Sequence, residues 1–209
     1  MNTTTAPVPW PASGASSGAD AAERRRWLLA TGTAGAVAAV GAAIPLVSTL
    51  APSERARAAG AAVEVDLSDL APGSMKTVEW RGKPVWIVHR TPEMLAALPA
   101  LDGQLADPAS RRDQQPAYAS NAQRSIRPEI LVVVGICTHL GCSPTSVPAG
   151  SANPSVPADW AGGFFCPCHG STFDLAGRVF KNKPAPSNLE VPPHRFVDAM
   201  HLRIGDDQA

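Results

Sequence analysis

The sequence predicts a mainly β, antiparallel domain tethered by one N-terminal apolar helix. Three observations lead there. The stretch from Trp27 to Ser53 carries no charge, a run of membrane-spanning type. The chain holds 21 prolines and 17 glycines, and short alternating or β-branched runs fall between them, the mark of a loop-rich β domain. All four cysteines lie in two short segments, 137–142 and 166–168, so one site organises the C-terminal part. A length of 209 residues suits one tail and one domain with a core of its own. The formal net charge is zero, and no basic excess points to nucleic acid.

Residues 1–22 are mostly Thr, Pro, Ser, Gly and Ala and read as a disordered cytoplasmic tail. Residues 23–50 read as export signal and anchor. Arg24, Arg25 and Arg26 precede Trp27 and Leu28, the pattern of a twin-arginine signal. As a helix, Trp27 to Leu50 spans about 36 Å, enough for a hydrocarbon core of about 30 Å with some tilt. Secretory h-regions run only about 7–15 residues, which favours a retained single-pass anchor, although Ala56-Arg57-Ala58 satisfies a small-x-small cleavage site. Gly32 and Ala36 offer a small-x-x-x-small face, and Pro45 is placed to kink the helix. The arginines put the N-terminus in the cytoplasm and the C-terminal domain in the periplasm.

Residues 51–62 lack an apolar face and read as a linker. The domain occupies 63–209. Val63 to Leu67 alternates as a strand, and Met75 to Trp80 with Lys83 to His89 form a hairpin turning at Arg81-Gly82. His89 reads as a strand residue. A short helix starts at Thr91 as N-cap with Pro92 in its first position and ends before Pro99. Leu101 to Arg127 is turn-rich, has no clear period and wraps the base of the domain. Ile130 to Gly135 is a buried strand leading to Cys137, and Gly163 to Phe165 leads to Cys166. Ser171 to Asp174 and Arg178 to Lys181 read as a hairpin, and Leu189 to Val191, Arg195 to Val197 and His201 to Ile204 as closing strands. His194 and His201 read as structural or exposed.

The two cysteine segments read Cys137-Thr138-His139-Leu140-Gly141-Cys142 and Cys166-Pro167-Cys168-His169-Gly170-Ser171. Each supplies one thiolate and one imidazole, from Cys-x-His and Cys-x-x-His, the ligand set of a Rieske [2Fe-2S] centre. A zinc-binding structural module is the alternative, but zinc sites usually pair Cys with Cys and His with His. Cys142 and Cys168 are left over at matching places, where a disulfide would tie the two loops together and require an oxidising compartment.

On these residues, from Arg24 to about Gly205, the chain resembles the proteobacterial Rieske iron-sulfur subunits of ubiquinol-cytochrome c oxidoreductase, the cytochrome bc complex. The resemblance implies a Rieske-type β domain with a small cluster-binding subdomain at about 136–187, tethered by the transmembrane helix through a flexible hinge at 51–62. It implies metal ligands Cys137, His139, Cys166 and His169, and a disulfide between Cys142 and Cys168. Cytochrome b and c-type cytochrome subunits, ubiquinol, a dimeric complex and the cell inner membrane come with it. Hydroquinone would hydrogen-bond to His169 and give it an electron and a proton, after which the domain swings to the c-type cytochrome.

Replacing two thiolates by neutral imidazoles removes negative charge, so the potential rises into the range of about −150 to +300 mV. Hydrogen bonds favour the more negative reduced centre. Ser171 is the candidate donor, with backbone N–H groups near Gly141 and Gly170. Leu140 reads as either a docking residue or a core leucine. In the family a Gly-Pro-Ala-Pro loop covers the centre; the match here is Pro184-Ala185-Pro186, with Lys183 in the glycine's place, a substitution expected to strain the turn if φ is positive. Many high-potential members carry tyrosine where this chain has Phe173, which predicts a somewhat lower potential. The 143–162 stretch is longer than expected of mitochondrial relatives. The rival assignment is the small Rieske subunit of a periplasmic molybdenum oxidase such as arsenite oxidase. Ring-hydroxylating dioxygenases are poor candidates, since they lack the extra cysteine pair.

Overall fold

The computed structural model describes residues 18–51, 53 and 60–207. These fall into two units, an N-terminal helical segment and the domain that follows it. Helix α1 runs Gly18–Ser48. It starts within the stretch expected as tail, because Ala19, Ala21 and Ala22 are strong helix formers. The rest of that tail, most of the expected hinge and the small-x-small motif at 56–58 lie outside the described residues. The helix is long and apolar enough to cross a membrane. Thr31 Oγ1 donates to the Trp27 carbonyl at 2.8 Å and Thr33 Oγ1 to that of Leu29 at 2.9 Å, so these hydroxyls are satisfied within the helix, as lipid requires. The helix continues through Pro45, whose missing N–H leaves the Gly41 carbonyl without its usual donor.

The domain is built from β1 (Val63–Asp66), β2 (Met75–Trp80), β3 (Lys83–His89), α2 (Pro92–Ala97), 3₁₀ turns at Leu98–Gln104 and Ala117–Ala119, β4 (Ile130–Val134), β5 (Thr145–Val147), β6 (Gly163–Cys166), β7 (Ser171–Phe173), β8 (His194–Phe196) and β9 (His201–Ile204). They make three three-stranded sheets, β1-β9-β8, β2-β3-β4 and β5-β6-β7, all antiparallel. The β2-β3 hairpin closes at Trp80↔Lys83. Arg81 and Gly82 have φ of 52° and 71°, the left-handed pair that a two-residue hairpin turn demands. In α2, the Met94 N–H donates to Thr91 Oγ1 at 3.3 Å, capping the helix where Pro92 opens it.

In the central sheet β4 and the middle of β3 are buried on both faces, which is why β4 reads as an unbroken apolar run, while β2 forms an exposed edge. Val85, Ile87, Val132 and Val134 pack toward Leu202 and Ile204 of the first sheet. Trp86, Val88, Leu131 and Val133 pack toward Phe164, Phe173 and the two free cysteines. The alternation of β3 and β4 thus joins two cores back to back. Trp86 stacks on Phe164 at 5.0 Å between ring centroids. Gly135 makes room for that ring: a Cβ there would sit 2.2 Å from Trp86 Cε2.

Two expected strands are absent. Leu189 to Val191 bonds to three separate segments, through Leu189 N–H to Gly177 O, Val134 N–H to Glu190 O and Val191 N–H to Gln114 O, so no ladder forms. Arg178 to Lys181 reduces to single bridges, Phe173↔Val179 and Leu105↔Phe180. The turn before it is held by charge instead. Arg90, Arg124 and Arg178 are fully buried, and they converge on residues 174–178. Arg90 Nη1 donates to Leu175 O at 3.2 Å, Arg124 Nη1 to Ala176 O at 3.4 Å, and Arg178 Nε to Asp174 Oδ2 at 2.8 Å. Burial lowers Arg90 and Arg124 to about 10 each, so both stay charged. Burial pushes the Asp174 carboxyl up, while Arg178 opposes it.

Candidate metal centre

β4 and β6 deliver the two cysteine segments. In the first, the Cys137 N–H donates to Cys142 O at 2.7 Å and the Gly141 N–H to Cys137 O at 3.1 Å. In the second, the Gly170 N–H donates to Cys166 O at 2.9 Å, and Cys166 pairs with Ser171 at the β6-β7 end. Gly141 and Gly170 have φ of 84° and 76°, conformations that glycine adopts without steric cost. Both loops therefore close identically, cysteine carbonyl to glycine N–H four residues on. The N–H groups of Gly141 and Gly170 themselves close the loops, which leaves the hydrogen bonds expected from the backbone near them to their neighbours.

Cys142 and Cys168 form a disulfide with Cα atoms 6.7 Å apart, joining the two loops. Cys137 and Cys166 are free thiols, each 2% exposed. The His139 and His169 rings lie 4.7 Å apart and nearly perpendicular. His139 Nδ1 is buried and without a hydrogen-bond partner, whereas His169 is exposed. Burial pushes the Cys137 thiol up and the neighbouring Cys166 sulfur adds to this, while hydrogen bonds from the His139 backbone and the Ser171 hydroxyl act against it. Two buried sulfurs, an inward imidazole nitrogen in need of a partner and a hydroxyl beside one sulfur are donors of the kind a [2Fe-2S] centre takes.

A third loop closes over the first two. The Ala185 N–H donates to Ser171 Oγ at 3.0 Å, which leaves the Ser171 hydroxyl hydrogen free to donate elsewhere. Thr138 Oγ1 donates to Ser187 O at 2.6 Å, and Arg112 donates to Pro186 O. Pro184 is exposed. The strain expected at Lys183 does not arise: the left-handed residue is Asn182, with φ of 56°, a conformation asparagine tolerates. Leu140 is 70% exposed, which removes the core reading of that side chain. The long 143–162 stretch is not a loose loop. It contributes β5 to the third sheet, and Trp160 packs on Phe180 while its Nε1 donates to Val147 O at 2.9 Å.

Sequence reasoning missed Thr138, Arg112 and the three buried arginines. Thr138 stood between a cysteine and a histidine of the motif and was the one of these with a signal.

Fold and site together define a Rieske iron-sulfur domain, and the family profile described as Rieske [2Fe-2S] domain matches residues 61–193. A second profile, described as Ubiquitinol-cytochrome C reductase Fe-S subunit TAT signal, matches residues 14–53. The chain is 54% identical over 199 residues to the ubiquinol-cytochrome c reductase iron-sulfur subunit of Allochromatium vinosum, covering 95% of each. It is 43% identical over 191 residues to that of Bradyrhizobium diazoefficiens, covering 90% of this chain and 98% of the relative. The mitochondrial cytochrome b-c1 complex subunit Rieske of Solanum tuberosum is 48% identical over 146 residues, 69% of this chain and 47% of the relative. The chain belongs to the family of ubiquinol-cytochrome c reductase iron-sulfur subunits.

Proposed function

We propose that this chain is the mobile electron carrier of a quinol-oxidising complex, taking an electron from ubiquinol and passing it to a c-type cytochrome subunit. Cys137 and Cys166 would hold one iron of the centre, and His139 and His169 the other. When bound, the centre supplies a one-electron acceptor with a potential in the range of about −150 to +300 mV. The observation that carries the reading is the asymmetry of the ligand set. Its sulfurs are 2% exposed, while His169 is exposed and Leu140 beside His139 is 70% exposed. An open imidazole can meet a quinol hydroxyl, accept its proton and stay insulated from thiol chemistry.

Leu140 gives the docked face an apolar rim that excludes water. The disulfide and the Thr138–Ser187 bond hold the three loops in one arrangement through repeated docking. Ser171 donates toward the sulfurs and stabilises the reduced state. The partners are the cytochrome b and c-type cytochrome subunits of a dimeric complex in the cell inner membrane, with the domain in the periplasm and residues 51–62 as hinge. The relatives' names, the TAT-signal profile and the apolar α1 support this.

The test is a potentiometric titration of the centre in isolated membranes, followed spectroscopically across pH. A midpoint in the upper half of the Rieske range that falls as pH rises through the histidine region is expected. A low, pH-independent midpoint would mean a ferredoxin-like carrier instead.

A further inference from the structure

We propose that the chain, once its disulfide is reduced, carries a second metal site for a soft divalent cation, formed by Cys142, Cys166 and Cys168. The Sγ atoms of these residues all lie within 4.8 Å of one another. A tetrahedral zinc-type ion with metal–sulfur bonds of about 2.3 Å needs its sulfurs roughly 3.8 Å apart, a spacing that small side-chain rotations supply. Cys137, whose thiol neighbours that of Cys166, is the candidate for the fourth position. A set built on thiolates selects soft and borderline cations over magnesium or calcium.

In the oxidised chain two of the three sulfurs are joined to each other and cannot act as thiolates. Reduction opens the site. The S–S bond breaks with two electrons and two protons, supplied by a dithiol that closes to its own disulfide. Cys168 is exposed and Cys142 half-buried, so a reductant reaches the bond through Cys168. Metal binding then releases the thiol protons.

The consequence rests on the assignment of Cys166 to the iron-sulfur centre made above. Because Cys166 serves both sites, soft cation and [2Fe-2S] centre exclude each other. Forming the disulfide removes two of the competitor's three ligands and commits Cys166 to iron. The bond thus acts as a chemical gate on which metal the folded chain retains, besides tying the loops.

The test uses the full chain in detergent, freed of iron by chelation, reduced with a dithiol and passed anaerobically over a sizing column. Co2+ is the probe, since thiolate ligation gives an intense near-ultraviolet charge-transfer band. In a His139→Ala/His169→Ala background, which removes the imidazoles of the iron ligand set, the reduced chain is expected to bind one Co2+ with that band, and the oxidised chain, left with Cys137 and Cys166 alone, to bind it about tenfold or more weakly. In that background Cys142→Ser and Cys168→Ser should each weaken binding by about tenfold or more. Loss of the crosslink does not confuse the comparison, because every reduced sample lacks it. No band in the reduced chain overturns the proposal. So does a band that survives Cys142→Ser and disappears in the histidine variant, because the ion then occupies the iron ligands. The assignment of His169 fails separately, if iron-loaded His169→Ala retains a Rieske-type spectrum.

Discussion

Replacing Ser171 by alanine removes one hydroxyl that serves two neighbours, and the two losses can be read apart. Ser171 is fully buried. Its oxygen accepts the Ala185 N–H at 3.0 Å, and its hydrogen is placed to donate toward the Cys137 sulfur, whose anionic form it favours. Without the oxygen, the N–H of Ala185, itself 4% exposed, is left unsatisfied, which costs about 1–3 kcal/mol. Without the donor, the reduced centre loses more than the oxidised one, since it carries the extra negative charge. A differential of about 1 kcal/mol corresponds to roughly 40 mV for one electron. Potentiometric titration of the variant in membranes should therefore show a midpoint lowered by about that amount, and thermal denaturation a less stable domain. A lowered stability with an unchanged midpoint would refute the donor role and leave Ser171 as a pin for the proline loop only.

Phe173 is fully buried in the core that also holds Cys137 and Cys166, and on the resemblance a tyrosine there donates to a cysteine sulfur, so Phe173→Tyr should raise the midpoint by roughly 40 mV; no rise in a redox titration discards that idea. Asp174→Ala strips the acceptor from Ala176 N–H, Arg178 N–H and Arg178 Nε, all within 2.9 Å, and leaves the Arg178 guanidinium partly uncompensated. Chemical denaturation should register a loss of about 3–5 kcal/mol. The half-buried His201 is held above its usual range mainly by its hydrogen bond to Asp198, so the pair's contribution is complete below about pH 6.5 and fades as pH rises through the folded-state value. An NMR titration should find the His201 transition displaced upward in the wild type and returned toward about 6.5 in Asp198→Asn.

The parts of the fold that were legible in the sequence are those where local chemistry and burial agree. The β2-β3 hairpin was readable because Arg81-Gly82 supplies the turn and the flanking runs suit strands. The α2 start was readable from Thr91-Pro92. Leu101 to Arg127 was not, because much of what orders it is long-range: Asn188 Nδ2 donates to Asp107 O and Arg178 Nη1 to Pro108 O, and Tyr118 OH accepts the N–H of His194. Arg90, Arg124 and Arg178 carry no mark of burial in the sequence. They are buried because turn carbonyls that no strand partners need donors, and a guanidinium supplies five. Likewise, Leu189 to Val191 has a strand's composition but makes only a single bond to β4, Val134 N–H to Glu190 O, and no ladder. At the metal centre the four motif cysteines announced themselves, while the bonds that shape the loops, Thr138 to Ser187 and Ala185 to Ser171, join residues whose types carry no such mark.

The three buried arginines also set an order of events for a chain emerging from a ribosome. Arg90 donates to Pro128 O, Gln123 O and Ser125 Oγ as well as to Leu175 O, and Arg124 donates to Gln115 Oε1 as well as to the Ala176 and Gly177 carbonyls, so the last of their acceptors arrive only when about four-fifths of the chain exists. Until then the β2-β3-β4 sheet also lacks Phe164 and Phe173, which cover one of its faces. A core that draws on Trp86 and Leu131 from one end of the domain and on Phe164, Cys166 and Phe173 from the other is one that closes only after the second metal-binding loop has been made.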